Sequence, residues 1–139
     1  MRKTCLILLF AFGFWLNAWT ENDLSMDSCA RFEILGEYLC DLGNIPDDTG
    51  RVCESFWLKS TGNKPLIIVS SSTSCPCTHA FFDKDILLPG DSVEIKLDYE
   101  IQSHHGEFLQ SVLLKMNTVP NDYVWFYLKG CVVEGIRKD

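Results

Sequence analysis

Cys75 and Cys77 stand one residue apart in the stretch SSSTSCPCTHAFF (residues 70–82), and His79 follows at the same interval. Thiolate and imidazole are the donors that copper and zinc prefer. In an extended chain alternate side chains share a face. On that geometry Cys75, Cys77 and His79 form a candidate soft-metal site, with Thr73 or His104 as a fourth contact. The same cysteines allow two other chemistries. Each could bridge to a distant partner, for example Cys40 or Cys131, as a structural cross-link. Alternatively they bridge each other in a very small, strained and easily reduced ring, the basis of a thiol-redox function. The chain carries neither the Cys-x-x-Cys nor the βαβ pattern that usually accompanies thiol-redox work.

The N-terminus bears on that choice. Arg2 and Lys3 precede the uncharged run TCLILLFAFGFWL, and Ala18 closes it before the polar ENDLSMDS. This is the pattern of a signal peptide over residues 1–18, and the run is shorter than the roughly 20 apolar residues of a membrane span. Export to the periplasm or beyond follows as the expectation. Of the seven cysteines, Cys5 falls in that segment; Cys29, Cys40, Cys53, Cys75, Cys77 and Cys131 remain as disulfide candidates. An even number in an exported chain favours bridges, and spacing alone does not choose the pairing. Loss of Arg2 and Lys3 takes the formal charge from −7 to −9. Such an acidic chain repels nucleic acid and anionic lipid, which leaves it peripheral to a membrane at most.

Stepping along the mature chain, the elements read as strands. In RVCESFWLKS, Val52, Phe56 and Leu58 alternate with Cys53, Ser55, Trp57 and Lys59. SVEIKLDYE alternates more cleanly, with Val93, Ile95, Leu97 and Tyr99 inward and Glu94, Lys96, Asp98 and Glu100 toward water. LIIVSSS is continuous and β-branched, as in a strand buried on both faces. FLQSVLLKMN and YVWFYLKGCVV are the last two strands and should pair. STGNKP and LLPGDS are turns, the latter with Pro89 and Gly90. No helical period is sustained. Seven or eight short strands with regular turns predict an all-β, immunoglobulin-like antiparallel sandwich. The domain is expected over residues 31–134, after a flexible segment 19–30 and before a tail 135–139.

The strand pattern yields a second candidate site. If Val124, Phe126 and Leu128 face the core, then Tyr123, Trp125 and Tyr127 face out, with Leu109 and Leu113 beside them on the preceding strand. An exposed aromatic and apolar face marks a binding surface for a protein or a glycan. Asp47–Asp48 and Asp83–Asp85 read as turn formers, and His104 and His105 as loop residues. No Gly-x-Ser-x-Gly, His-Glu-x-x-His or phosphate-binding glycine loop is present, so no catalytic residue is assigned.

In order, DLGNI, SFWLKSTGNKPLIIVSSSTSCPCT, LLPGDSVEIKLDY, GEFLQSVLLKMN and FYLKG resemble a bacterial exported family catalogued as domain of unknown function 1573. Its members show D-F-G-x-I, F-x-x-x-N-T-G-x-x-P-L, S-C-G-C-T, I-x-P-G, G-x-F and a final glycine. Leu42, Ser60 and Pro76 depart from that pattern, and Pro76 replaces a glycine with a residue of fixed φ and no N–H. The resemblance implies an immunoglobulin-like sandwich and export rather than a chemistry. The function expected is therefore a non-catalytic binding or structural module of the bacterial cell envelope, whose partner is an envelope protein or glycan. The alternative is copper or zinc binding, or thiol-redox work, at Cys75, Cys77 and His79. No other cofactor is expected.

Overall fold

A computed structural model describes residues 29–101 and 105–135. The expected signal segment, most of the segment 19–30, His104 and residues 136–139 lie outside the described residues. The chain forms β1 (Phe32–Leu35), β2 (Leu39–Pro46), β3 (Arg51–Ser60), β4 (Leu66–Thr73), β5 (Thr78–Phe81), β6 (Ile86–Leu87), β7 (Ser92–Glu100), β8 (Gly106–Met116) and β9 (Tyr123–Val133). One 3-10 turn, Asp47–Thr49, joins β2 to β3. Sheet A runs β1-β3-β7-β5 and sheet B runs β2-β9-β8-β4-β6.

Alternation drives the assembly. On β3 and β7, Phe56, Leu58, Val93, Ile95, Leu97 and Tyr99 are buried. On β8 and β9, Phe108, Val112, Leu114, Val124, Phe126 and Leu128 are buried. With period two each sheet has one apolar face, and two such faces stack to form one core. Phe56 of sheet A meets Phe126 of sheet B with ring centroids 5.0 Å apart. Tyr99 meets Phe108 in the same way at 4.7 Å. The all-β, immunoglobulin-like sandwich expected from the sequence is the fold of this chain.

Several expectations need correction. Among the described residues nine strands form rather than seven or eight, because β6 is a two-residue edge and the N-terminal region splits into β1 and β2. The sandwich is not antiparallel throughout: after β1 the chain crosses to sheet B, and β2 lies parallel to β9. LIIVSSS is not buried on both faces. Leu66 and Ile68 are buried while Ile67 and Val69 are exposed, because sheet B has solvent on its outer side. Asp98 points away from the core as expected, yet it is only 8% exposed, covered by its neighbours on sheet A. Ala30 is packed in the core, so the folded body begins before Arg31.

Candidate functional site

The outer face of sheet B collects the five residues of the expected aromatic patch. β8 and β9 pair antiparallel, with Leu113 opposite Trp125, Ser111 opposite Tyr127 and Lys115 opposite Tyr123. Period two then puts Tyr123, Trp125 and Tyr127 in one row and Leu109 and Leu113 in the next. Trp125 and Tyr127 lie nearly parallel, 15° between planes and 6.1 Å between centroids. Tyr38, which the sequence reading left out, closes the row edge-on to Tyr127 at 6.4 Å. The Lys115 ammonium sits 5.5 Å from the Tyr123 ring centre, a cation–π contact. Tyr38, Leu109, Tyr123 and Trp125 are exposed, Trp125 by 45%. Ser70 and Ser72 of β4 extend the face with hydroxyls, opposite Lys115 and Leu113.

At one end the row opens into a cleft of 540 Å³ lined by Asp41, Asn44, Glu107, Leu109, Lys129 and Gly130 among others. A bulge in β2 makes this opening. The register with β9 shifts between Asp41 and Asn44, and Gly43 takes φ +62°, a value open to glycine at little cost. The Gly43 N–H donates to Asp41 Oδ1 at 3.0 Å, and Lys129 Nζ lies 3.1 Å from Asp41 Oδ2. Those contacts, the amide first and the ammonium second, hold the Asp41 carboxyl below the usual carboxylate range.

Cys75 and Cys77 lie at the same end of the sandwich, in the connection from β4 to β5. They are bridged to each other, with Cα atoms 5.1 Å apart. The segment is a turn, not an extended strand: the Thr78 N–H donates to the Cys75 carbonyl at 3.0 Å. Alternation therefore does not align the three expected ligands. Cys77 packs against the core, while His79 is exposed on the outer face of sheet A beside the Phe81 ring. With both sulfurs in a bridge, Cys75, Cys77 and His79 form no ligand set. Among the described residues no group of three His, Cys, Asp or Glu side chains is placed to hold a metal ion.

The expected framework of long-range disulfides is also absent among the described residues. Cys29, Cys40, Cys53 and Cys131 are free. Cys53 is exposed on sheet A, opposite Asp98, whereas Cys131 lies on β9 in sheet B. The Cys40 thiol is pushed up by burial and then by the carboxylates of Glu54 and Asp41. His105 is exposed next to β8.

A second cleft, of 460 Å³, runs beside the bridge and is lined by Cys75, Pro76, Cys77, Tyr99, Glu100, Glu107, Phe108 and Gln110. Glu107 and Phe108 also line the first cleft, so the two openings adjoin. Gln110 Oε1 accepts from Ser74 Oγ at 2.8 Å and from Thr78 Oγ1 at 3.2 Å. Gln110 and Glu107 carried no signal in the sequence. They acquire a role only because β8 passes beneath the β4–β5 turn.

Comparison with known proteins supports the fold. A family profile described as protein of unknown function (DUF1573) matches residues 35–132. A Porphyromonas gingivalis W83 protein of unknown function superposes with TM-score 0.66 at 16% identity, over 79% of this chain and 51% of that one. The PapD-like domain 7 of human CEP192 gives TM-score 0.58 at 12% identity, over 75% of this chain and 86% of that one. The VesB protease of Vibrio cholerae gives 0.59 at 16% identity, over 73% of this chain and 31% of that one. The chain thus spans about half of the first structure and a third of the protease. No curated protein sequence gives a significant match.

Proposed function

The chain belongs to the DUF1573 family, and from that premise we propose that it is a binding module of the bacterial cell envelope, exported by its N-terminal segment, which holds a glycan chain, without chemistry at that face, on the outer side of sheet B. The observation that carries this reading is the row Tyr123, Trp125 and Tyr127, with Trp125 and Tyr127 15° from parallel. Flat, exposed aromatic rings offer sugar C–H faces a large apolar area at small entropic cost, because each ring is fixed by two χ angles. The rim supplies what sugar hydroxyls require. Ser70 and Ser72 stand on the β4 side, Lys115 at one end, and Asp41, Asn44 and Lys129 in the adjoining cleft. The PapD-like sandwich supports a rigid platform of this kind.

The test is co-sedimentation of the purified chain with insoluble envelope glycan, using isolated peptidoglycan sacculi as the probe. Wild type should pellet, and Trp125→Ala and Tyr127→Ala should leave most of the protein in solution. Trp57→Ala, on the outer face of sheet A, should pellet like wild type. Equal loss in all three variants, or no pelleting of wild type, overturns the reading; capture of an envelope protein through Trp125 instead would transfer the face to a protein partner.

A further inference from the structure

We infer that the Cys75–Cys77 bridge is a redox-active disulfide, which exchanges with the thiols of a dithiol peptide seated in the cleft beside it. The bridge adds little to the stability of the fold. A structural disulfide stabilises by closing a long loop in the unfolded chain, and the effect shrinks as the loop shortens. Here the sequence separation is two, so the cross-link constrains almost nothing. The connection it sits in is already held by other bonds. Thr78 N–H and Thr73 Oγ1 donate to the Cys75 carbonyl, Ser74 N–H donates to the Ser111 carbonyl, and Ser74 and Thr78 hydroxyls donate to Gln110. Reduction can therefore leave the sandwich standing.

The two sulfurs stand in unlike surroundings. Cys77 packs on the core. Cys75 Sγ receives the Cys77 backbone N–H at 3.1 Å. A backbone amide aimed at sulfur favours negative charge there, so Cys75 is the better-supported thiolate. Both residues line the 460 Å³ cleft, together with Tyr99, Phe108 and Gln110. The apolar rings can seat a peptide backbone flanking the reacting thiol, and the carboxyl groups of Glu100 and Glu107 favour basic residues near it.

A substrate thiolate attacks Cys75 Sγ; a substrate–Cys75 disulfide forms, the Cys75–Cys77 bond breaks, and Cys77 leaves with the electron pair. The second substrate thiolate then attacks the substrate sulfur of the mixed disulfide. Cys75 leaves as a thiolate beside the Cys77 amide, and the substrate departs as a disulfide. Two electrons pass from substrate to bridge, and the two protons lost by the substrate thiols end on Cys75 and Cys77. Oxidised glutathione, added as the terminal oxidant, restores the bridge by the same steps in reverse.

The test uses the full mature chain in graded mixtures of reduced and oxidised glutathione, quenched and alkylated, with mass analysis of the peptide that contains residues 75–77. The bridge should open and re-form across these mixtures while circular dichroism stays native. Cys77→Ser should accumulate glutathione on Cys75, and Cys75→Ser should take up far less on Cys77. With oxidised glutathione present, wild type should oxidise a model dithiol peptide faster than buffer, Cys75→Ser should fall to the buffer rate, and Cys53→Ser should match wild type. A bridge that stays closed in reduced glutathione, or whose opening unfolds the domain, overturns the inference, as does a peptide oxidised no faster than in buffer.

Discussion

Arg51 on β3 and Asp98 on β7 meet across the outer face of sheet A, with Nη1 2.8 Å from Oδ2. The Arg51 side chain is 57% exposed and that of Asp98 only 12%, so the pair is a half-solvated clamp over a carboxylate that strand neighbours have covered. The other carboxylate oxygen, Oδ1, is buried and makes no hydrogen bond among the described residues. Period two assigned Asp98 to the solvent side, and the direction holds. Exposure depends on what the flanking strands carry, and alternation along one strand does not encode that.

Asp98→Ala is therefore expected to cost about 1 kcal/mol, a charged hydrogen bond discounted for the exposure of its arginine partner. Lys96→Ala, on the same face and exposed, should cost less than about 0.5 kcal/mol, and Leu97→Ala between them, fully buried, about 2–5 kcal/mol. Urea denaturation of the three variants measures the ranking. If Asp98→Ala and Lys96→Ala have equal midpoints, the clamp contributes nothing.

Acid sensitivity should trace in part to Asp41. Its carboxyl lies below the usual range because the Gly43 amide and then the Lys129 ammonium favour the anion. The contribution is present above the ordinary carboxylate value of about 4 and is lost as pH falls from there through the lowered folded value. Asp41→Asn keeps an acceptor for the Gly43 N–H and removes the ionisation. Its unfolding midpoint should fall less steeply than that of wild type below about pH 4. Identical acid slopes would show that Asp41 titrates alike in the folded and unfolded chain.

The free thiols should react in a defined order. Cys53 is exposed on sheet A, whereas Cys40 is half-buried and held protonated by its surroundings, burial first and the carboxylates of Glu54 and Asp41 after it. Alkylation proceeds through the thiolate, so at pH 8 iodoacetamide should label Cys53 first and Cys40 last. Peptide mapping over a time course reads the order, and labelling of Cys40 at the rate of Cys53 would contradict it.

The inward faces of the strands and the aromatic face were readable because both follow from one rule. Residues two apart share a side, so a correct inward assignment of Val124, Phe126 and Leu128 also placed Tyr123, Trp125 and Tyr127. The same rule misleads for Cys75, Cys77 and His79, because their segment is a turn, and of the chemistries open to the two cysteines the structure has the mutual bridge. Pro76 has no N–H to give to a sheet ladder, and the Thr78 amide bonds back to Cys75 instead. The parallel docking of β2 on β9 and the meeting of Glu107 and Gln110 with the bridge are long-range facts. They depend on which strands become neighbours, and no local pattern states that.

Gly130 gives the sharpest check on how the two clefts are built. A Cβ at Gly130 would lie 2.9 Å from Cζ of Phe108 and 3.0 Å from the Gly43 carbonyl oxygen. Phe108 is 7% exposed and packed at a tilt against Tyr99, so its ring has little room to yield, and the Gly43 carbonyl belongs to the bulge that opens the first cleft. Gly130→Ala should therefore cost about 1–3 kcal/mol by overpacking. Part of that cost should return in Gly130→Ala/Phe108→Leu, where a smaller side chain makes space for the methyl group, and a non-additive double-mutant cycle would assign the strain to this contact. Gly130→Ala should also shift the amide resonances of Gly43 and Cys77, which line the two clefts that share Phe108. A variant as stable as wild type, with both resonances unmoved, would mean that Phe108 does not couple the two openings.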